Sequence, residues 1–393
     1  MGMYSDEWEY LGVQEKNAVR RLIDDGNVWV WDGKLYEDFC AKVSRMSGNR
    51  YVLPVCNGTM ALIIAGFSLN LAVGDEVIIG TYGYMASVSP ILATGATPVF
   101  CDVDRETLTI TPEAISRRIT KRTKAIIVAH SWGNPAGMTR IYDLANEVGV
   151  SVLSDSSHAH GAVVRNKQLG CWADISCYSM GFGKLVTGGE LGVITTDNLN
   201  IYERAVAISG VKLTNSLSRI TVKDAVPFKA RPHGLSIAIA NESIDRLKEK
   251  NILYSQFAND IYSGIYGLDW ISPQKQVPNT SRVYYRIPLI LSDALSIDVI
   301  NTIKEKLRLS DLPYIDEEYG TPLNMWNNIK GINFTSSDRF KYSKMTKEGD
   351  IPCEYIGNRV LHFWPYAQPK PESLASDVAS ELQSISQEII KYV

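Results

Sequence analysis

Residues 124–129 read Lys-Ala-Ile-Ile-Val-Ala, and residues 150–155 read Val-Ser-Val-Leu-Ser-Asp. Runs that are apolar throughout, rather than alternating, are typical of strands covered on both faces. Helical patterns connect these runs, and a helical connection makes the two strands parallel. The same arrangement recurs at residues 52–56, 76–79, 97–103, 175–179 and 193–195. The sequence therefore predicts an α/β fold whose mostly parallel sheet is flanked by helices.

The pattern changes in the last half of the chain. Residues 198–234 lose the alternation, and residues 235–250 then have helical spacing of their apolar side chains. Beyond them come a strand-like stretch at 282–291, a helical stretch at 296–307 and an amphipathic helix at about 371–390. We expect this second region to be a smaller α+β domain.

Composition narrows the classes of function. The 393 residues include 40 Lys and Arg against 43 Asp and Glu, a net charge of −3, so no basic surface favours nucleic acid or an anionic membrane. No apolar run reaches the roughly 18 residues of a membrane span, and residues 1–10 do not resemble a secretory signal. The six cysteines are scattered without a Cys-x-x-Cys pair, which argues against a metal site. We expect a cytoplasmic protein that binds a small molecule or another protein.

The segment Asn57-Gly58-Thr59 is a candidate anion site. It lies between a predicted strand and the apolar helix predicted for residues 60–69. A polar cap with glycine at a helix start presents free backbone N–H groups and the positive end of the helix dipole to an anion such as phosphate. An ordinary helix cap explains the same residues, so both interpretations stay open.

Two further candidates are Asp155 and Lys184. Asp155 follows the predicted strand that ends near Leu153, and open α/β sheets bind ligands at the carboxyl ends of their strands. Lys184 lies in a glycine-rich turn and forms a Schiff base if burial keeps its amine neutral. Taken singly, Asp155 is equally explained as a helix cap and Lys184 as a solvated loop lysine.

Taken in order, these segments resemble the sugar aminotransferases of the DegT/DnrJ/EryC1/StrS family, which are pyridoxal 5′-phosphate (PLP) enzymes of fold type I. The resemblance covers roughly residues 10–250 and is carried by residues 57–62, 74–78, 95–103, 122–127, 155–162 and 179–190. It implies a substrate-proximal N-terminal segment at 1–34, a large PLP-binding domain at 35–250 and a small C-terminal domain at 251–393.

The resemblance assigns catalytic roles to Lys184 and Asp155 and a cofactor contact to His158. Lys184 is expected to form the Schiff base with PLP and later to carry the proton between substrate carbon and cofactor. Asp155 is expected to pair with the pyridine nitrogen and keep it protonated, which lets the ring accept electrons. His158 is expected beside the phenolic oxygen of the cofactor.

The resemblance also predicts how the cofactor is held. Gly58, Thr59 and Ser179 are expected to bind its phosphate, in agreement with the helix-start argument above. Tyr84 matches the aromatic residue that stacks on the pyridine ring in the family, although a place in the ordinary core explains it too.

Four more residues are candidates for substrate or cross-subunit contacts. Arg231 and His233 lie where many family members carry an asparagine that reaches the cofactor phosphate of the partner subunit; a solvated surface explains them as well. Trp29 and Trp31 are two residues apart, so in an extended chain both indoles lie on the same face. They could form a wall on which a sugar stacks, or they could be buried at the edge of a strand.

The implied reaction is amino transfer in two halves, from L-glutamate or L-glutamine to PLP and then to a ketosugar or ketocyclitol. Family active sites form between two subunits, so a homodimer is expected. The residues around Ser179, Lys184 and Arg231 look closer to the ketocyclitol and aminohydroxybenzoate synthase branches. One alternative is a PLP-dependent lyase or dehydratase. Sugar dehydratases on this scaffold carry histidine in place of the lysine, so Lys184 counts against that version. Another alternative is a non-catalytic binding protein on the same fold.

Overall fold

A seven-stranded sheet forms the centre of the large domain in the computed structural model, which describes residues 11–26, 28, 33–211, 227–315, 357–365 and 373–389. Trp29 and Trp31 lie outside the described residues. The strands of this sheet are β1 Tyr51–Val55, β2 Glu76–Gly80, β3 Thr97–Cys101, β4 Thr123–Ala129, β5 Ser151–Asp155, β8 Ile175–Ser179 and β9 Gly192–Thr196. The short strands β6 Val163–Val164 and β7 Lys167–Gln168 lie outside it. All seven predicted strands of this region are present.

The sheet order is β1-β9-β8-β5-β4-β2-β3. Strands β8, β5, β4, β2 and β3 are parallel to one another, and β9 runs antiparallel to β1 and β8. Because the five parallel strands point the same way, their carboxyl ends meet at one edge. That edge is where Asp155 and Ser179 end β5 and β8.

Helices cover the sheet, as the apolar runs predicted. They are α1 Val13–Asp24, α2 Lys34–Ser47, α3 Gly58–Ser68, α4 Ser89–Thr94, α5 Pro112–Ser116, α6 Met138–Val148, α7 Leu199–Ser209, α8 Gly234–Asp245 and α9 Leu247–Gly264. Strand residues such as Leu53, Ile78, Ile126 and Leu153 are fully buried, so the core lies between the sheet and its helices.

Two sequence expectations need correction. Helix α7 lies inside residues 198–234, and its start is marked by Asn198, whose side chain accepts hydrogen bonds from the N–H groups of Asn200 and Ile201. The helix predicted for residues 235–250 is interrupted at Arg246, between α8 and α9. Arg246 forms an ion pair with the buried Glu15 of α1, a contact that no local pattern reveals.

The C-terminal region contains a second, antiparallel sheet. Its strands β10 Ile271–Pro273, β12 Ile287–Leu291, β13 Tyr314–Ile315 and β14 Val360–Phe363 are ordered β10-β12-β14-β13, and α10 Ile297–Leu309 and α11 Leu374–Ile389 accompany it. Strand β11 Thr280–Ser281 pairs instead with β6 of the large domain. The smaller α+β region is therefore present, and α9 runs across residue 250.

In the part of the chain that the structure describes, no helix combines the length and the apolar character of a membrane span. Within the same ranges, no group of three or more His, Cys, Asp or Glu side chains is arranged to hold a metal ion.

Candidate active site

The carboxyl ends of β4, β5 and β8 and the start of α3 surround a pocket of about 380 Å³. Its lining includes all seven residues predicted to contact the cofactor: Gly58, Thr59, Tyr84, Asp155, His158, Ser179 and Lys184. They come from four separate segments of the chain, and the fold brings them together.

The start of α3 is built to bind an anion. Asn57 caps the helix, and its side-chain oxygen accepts a hydrogen bond of 2.9 Å from the N–H of Met60. The first N–H groups of a helix have no acceptor within the helix, which leaves those of Gly58 and Thr59 for a ligand. A Cβ atom on Gly58 would lie only 2.5 Å from the Cβ of Ser179. Glycine is therefore required for the helix to approach Ser179.

Replacing Gly58 with alanine should weaken PLP binding about 10- to 100-fold, because overpacking of about 1–3 kcal/mol displaces the helix start from Ser179. The measurement is titration of the apoprotein with PLP, followed by absorbance. Gly137→Ala is the matched control, since no atom lies within 4 Å of a Cβ at that position. Equal PLP affinity of the two variants would contradict the assignment of the helix start.

Asp155 presents a buried, oriented carboxylate. It is 8% exposed and is the last residue of β5. The hydroxyl of Ser87 donates to Oδ2 at 2.5 Å, and the N–H of Ser157 donates to Oδ1 at 3.2 Å. These bonds fix the carboxyl plane and leave acceptor capacity on both oxygens. Ser87 was not predicted from the sequence, because it lies in a 3₁₀ helix, Met85–Val88, far from Asp155 along the chain.

Lys184 enters the pocket from a tightly held turn. Its N–H donates to the carbonyl of Gly181 at 3.1 Å, and the hydroxyl of Thr187 donates to the same carbonyl at 3.1 Å. The Nζ atom lies 4.2 Å from the centroid of the Tyr285 ring. An amine is thus held against an aromatic face in the same pocket as Asp155.

Three stacked rings form a wall that the sequence analysis missed. His158 stacks on Tyr285 with centroids 4.0 Å apart and on Trp132 with centroids 5.5 Å apart. Tyr285 comes from the C-terminal half of the chain, and its N–H donates to the carbonyl of Trp132 at 3.2 Å. Trp132 adopts a left-handed backbone with φ of 61°, a conformation costly for a bulky residue and frequent at functional sites. No local signal marks this cluster.

Burial and nearby positive charge keep the histidine of this wall neutral. Desolvation, followed by the charges of Lys184 and Arg286, holds the pKa of His158 well below its usual range. A neutral imidazole both donates and accepts a hydrogen bond, which suits a group placed beside a phenolic oxygen.

His130 is a further pocket residue that was not predicted. Its Nδ1 accepts the N–H of Ala136 at 3.1 Å, which assigns the ring proton to Nε2, and Nε2 lies 2.8 Å from the hydroxyl of Ser154. Burial lowers the pKa of His130 to about 3. The ring supports the loop after β4 without carrying charge.

Acid should destabilise the fold through its buried histidines. Burial lowers the pKa values of His130, His160 and His362 to about 3 each. Below about pH 6.5 the unfolded chain therefore binds more protons than the folded chain does. At pH 5 each of these histidines lowers the free energy of unfolding by about 2 kcal/mol. Denaturant unfolding of the apoprotein at pH 7.5 and 5 measures this loss.

A histidine variant separates this effect from other titrating groups. His362→Phe should reduce the loss of stability between pH 7.5 and 5, because the apolar ring has nothing to protonate. Lys121→Ala, at an exposed position, should leave it unchanged. The same pH dependence in wild type and His362→Phe would refute the explanation.

Arg231 and His233 do not line the pocket of their own chain. The Nδ1 atom of His233 instead accepts the N–H of Leu235 at 3.2 Å and caps α8. Arg231 is partly buried just before that helix. The expectation that they act across a subunit boundary therefore stays a prediction.

The donor set of the pocket fits PLP, which carries an aldehyde, a basic ring nitrogen and a phosphate. Lys184 supplies an amine for the aldehyde, and Asp155 supplies a buried carboxylate for the ring nitrogen. The start of α3 offers N–H groups that have no acceptor within the helix, and Gly58 lets this helix start lie against Ser179. These groups suit the phosphate. Each group of the cofactor has a chemical counterpart.

Comparison with known proteins gives the family. A model of the DegT/DnrJ/EryC1/StrS aminotransferase family matches residues 9–314. The GDP-perosamine synthase of Escherichia coli O157:H7 is 32% identical over 341 residues, covering 82% of this chain and 90% of that protein.

Two solved structures share the fold. 3-Amino-5-hydroxybenzoic acid synthase superposes with a TM-score of 0.84 at 23% identity, covering 96% of this chain and 98% of that one. The Escherichia coli GDP-4-keto-6-deoxy-D-mannose-3-dehydratase with bound hydrated PLP gives a TM-score of 0.80 at 18% identity, with coverages of 96% and 98%. The predicted fold type I is confirmed, and the chain belongs to the DegT/DnrJ/EryC1/StrS aminotransferase family of PLP-dependent enzymes.

Proposed function

We propose that this enzyme transfers the amino group of L-glutamate or L-glutamine to the keto group of a sugar carried on a nucleoside diphosphate. The observation that carries the proposal is the position of Lys184 Nζ in one pocket with Asp155 and the start of α3. The relative that is 32% identical bears the name GDP-perosamine synthase, which favours a nucleotide-linked sugar over a ketocyclitol. The likeness to aminohydroxybenzoate synthase concerns the fold alone.

The chain's own residues divide the work. PLP, when bound, supplies an electron sink that stabilises negative charge on the substrate carbon. Lys184 would hold the cofactor through its amine and, once released, would move a proton to and from that carbon. Asp155, oriented by Ser87, would keep the ring nitrogen protonated. His158, kept neutral by burial and by the nearby charges of Lys184 and Arg286, would lie beside the phenolic oxygen.

Tyr84 and the ring wall enclose the reacting atoms. Tyr84 lines the pocket and is 53% exposed, and we assign its ring to the face of the bound cofactor. Tyr285 and Trp132 close another side with little exposed surface. Together they would shield part of a bound cofactor from water.

The charge of the pocket supports a dimer. Among the described residues that line it, Lys184 is the one Lys or Arg side chain, whereas a phosphate dianion needs more positive charge. We propose that a second copy of the chain contributes Arg231, with His233 beside it, to this pocket. Those two side chains lie outside their own pocket, as a cross-subunit role requires.

Mixed dimers test the sharing of the site. Lys184→Ala and Arg231→Ala should each be nearly inactive, yet mixing and re-pairing their subunits should restore about one quarter of wild-type activity. Half of the re-paired dimers then contain one site with both residues intact. If Arg231 serves its own subunit, every site lacks one residue and the mixture stays inactive, which would contradict the shared site.

Visible absorbance of the PLP-loaded protein tests the first half of the reaction. L-Glutamate or L-glutamine, added without acceptor, should discharge the absorbance as the amino group moves to the cofactor. Nucleoside-diphosphate ketosugars should restore it, and free ketocyclitols should not. An absorbance that neither donor discharges would favour the lyase alternative, and recovery with ketocyclitols alone would overturn the proposed acceptor.

A further inference from the structure

A buried lysine lies behind the turn that carries Lys184. Lys250 is 9% exposed on α9, and its Nζ donates to the carbonyl of Leu185 at 3.0 Å. Leu185 directly follows Lys184 and is itself 2% exposed. The hydrogen bond therefore holds the peptide that adjoins the lysine, from the side of the turn away from solvent.

The same helix pair holds this turn at a second point. The N–H of Thr187 donates to the hydroxyl of Ser243 on α8 at 3.1 Å. Thr187 in turn donates to the carbonyl of Gly181 at 3.1 Å. The segment that follows Lys184 is thus attached to α8 and α9, and Thr187 links it to Gly181 on the other side of the lysine.

Lys250 retains a positive charge at neutral pH despite its burial. Desolvation and the nearby charge of Arg246 lower the pKa of Lys250 to about 8, while the buried carboxylate of Glu15 opposes this shift. An ammonium donor forms a stronger hydrogen bond to a carbonyl than a neutral amine does. Burial of a cation destabilises the fold unless the cation is hydrogen-bonded. The bond to the Leu185 carbonyl is therefore needed to keep the ammonium group of Lys250 buried.

We infer that Lys250 is a positioning residue, whose ammonium group fixes the Leu185 carbonyl and thereby sets where Lys184 Nζ stands in the pocket. The inference rests on the proposed role of Lys184 as the residue that binds PLP covalently. Removing the donor leaves a buried carbonyl unsatisfied, and the turn relaxes to recover a partner. A shift of about 1 Å in a reacting amine costs up to ~100-fold in rate.

Reductive trapping measures the position of Lys184 without turnover. The apoprotein is mixed with PLP and cyanoborohydride, which reduces the imine in preference to the aldehyde, and mass spectrometry gives the rate at which Lys184 is modified. Lys250→Met, which keeps the length and loses the donor, should slow trapping about 10- to 100-fold. Lys250→Arg, which keeps charge and donors, should recover a large part of the rate.

Lys248→Met is the matched control, because Lys248 is an exposed lysine on the same helix. It should trap PLP at the wild-type rate. Thermal unfolding of each apoprotein reports folding separately. If Lys250→Met does not fold, Lys250→Gln takes its place and should be slower than Lys250→Arg.

The outcomes separate this inference from the proposed function. Absence of trapping at Lys184 in the wild type would overturn the role of Lys184 itself. Normal trapping in the wild type, with an equal rate in a folded Lys250→Met or Lys250→Gln variant, would overturn only the role of Lys250.

Discussion

Alanine in place of Lys184 should abolish covalent attachment of PLP and lower amino transfer by at least ~10³-fold, because the variant loses both the nucleophile and the proton carrier. Nothing else in the described pocket wall replaces it, since Lys184 is the one primary amine there. The measurements are the visible absorbance of the PLP-loaded variant and its steady-state rate.

The control for this variant is Lys121→Ala, at an exposed position remote from the pocket lining. It should keep both absorbance and activity. A Lys184→Ala enzyme that works at the wild-type rate would remove Lys184 from the mechanism and with it the central assignment of the site.

Asparagine in place of Asp155 should lower the rate of amino transfer about 10²- to 10³-fold and weaken PLP binding. The side chain keeps its size, but the ring nitrogen loses the negative charge that keeps it protonated, an electrostatic effect of about 3–4 kcal/mol. Steady-state kinetics and PLP titration of the same variant measure the two effects.

Ser87→Ala provides a graded comparison for Asp155. It removes the hydrogen bond of 2.5 Å to Oδ2 and leaves the carboxylate in place, so its loss of rate should be smaller than that of Asp155→Asn. Kinetics of Asp155→Asn indistinguishable from the wild type would exclude a contact between Asp155 and the cofactor.

The sequence was sufficient for the large sheet, because a parallel strand covered on both faces is apolar throughout. Residues 124–129 and 151–155 carry this pattern and form β4 and β5. The position of Asp155 at a strand end, and of Gly58 at a helix start, followed from the same pattern. The cofactor-binding residues that the family resemblance added to them line the same pocket, whereas Arg231 and His233 do not.

The missing parts of the site come from contacts between distant segments. Tyr285 and Trp132 are stacked in the structure, but they lie in different domains of the predicted division. Arg246 interrupts a predicted helix and pairs with Glu15, 231 residues away. Such contacts depend on tertiary packing, and neither periodicity nor local capping residues encode them.

The central claim is that this pocket moves an amino group from an amino acid to a sugar. Transfer of ¹⁵N from labelled L-glutamate or L-glutamine (amino position) to a nucleoside-diphosphate ketosugar, followed by mass spectrometry, tests it most directly. The account predicts a labelled amino sugar that forms with the wild type and not with Lys184→Ala. Loss of water from the sugar, or an unlabelled keto product, in the presence of both donors would contradict it.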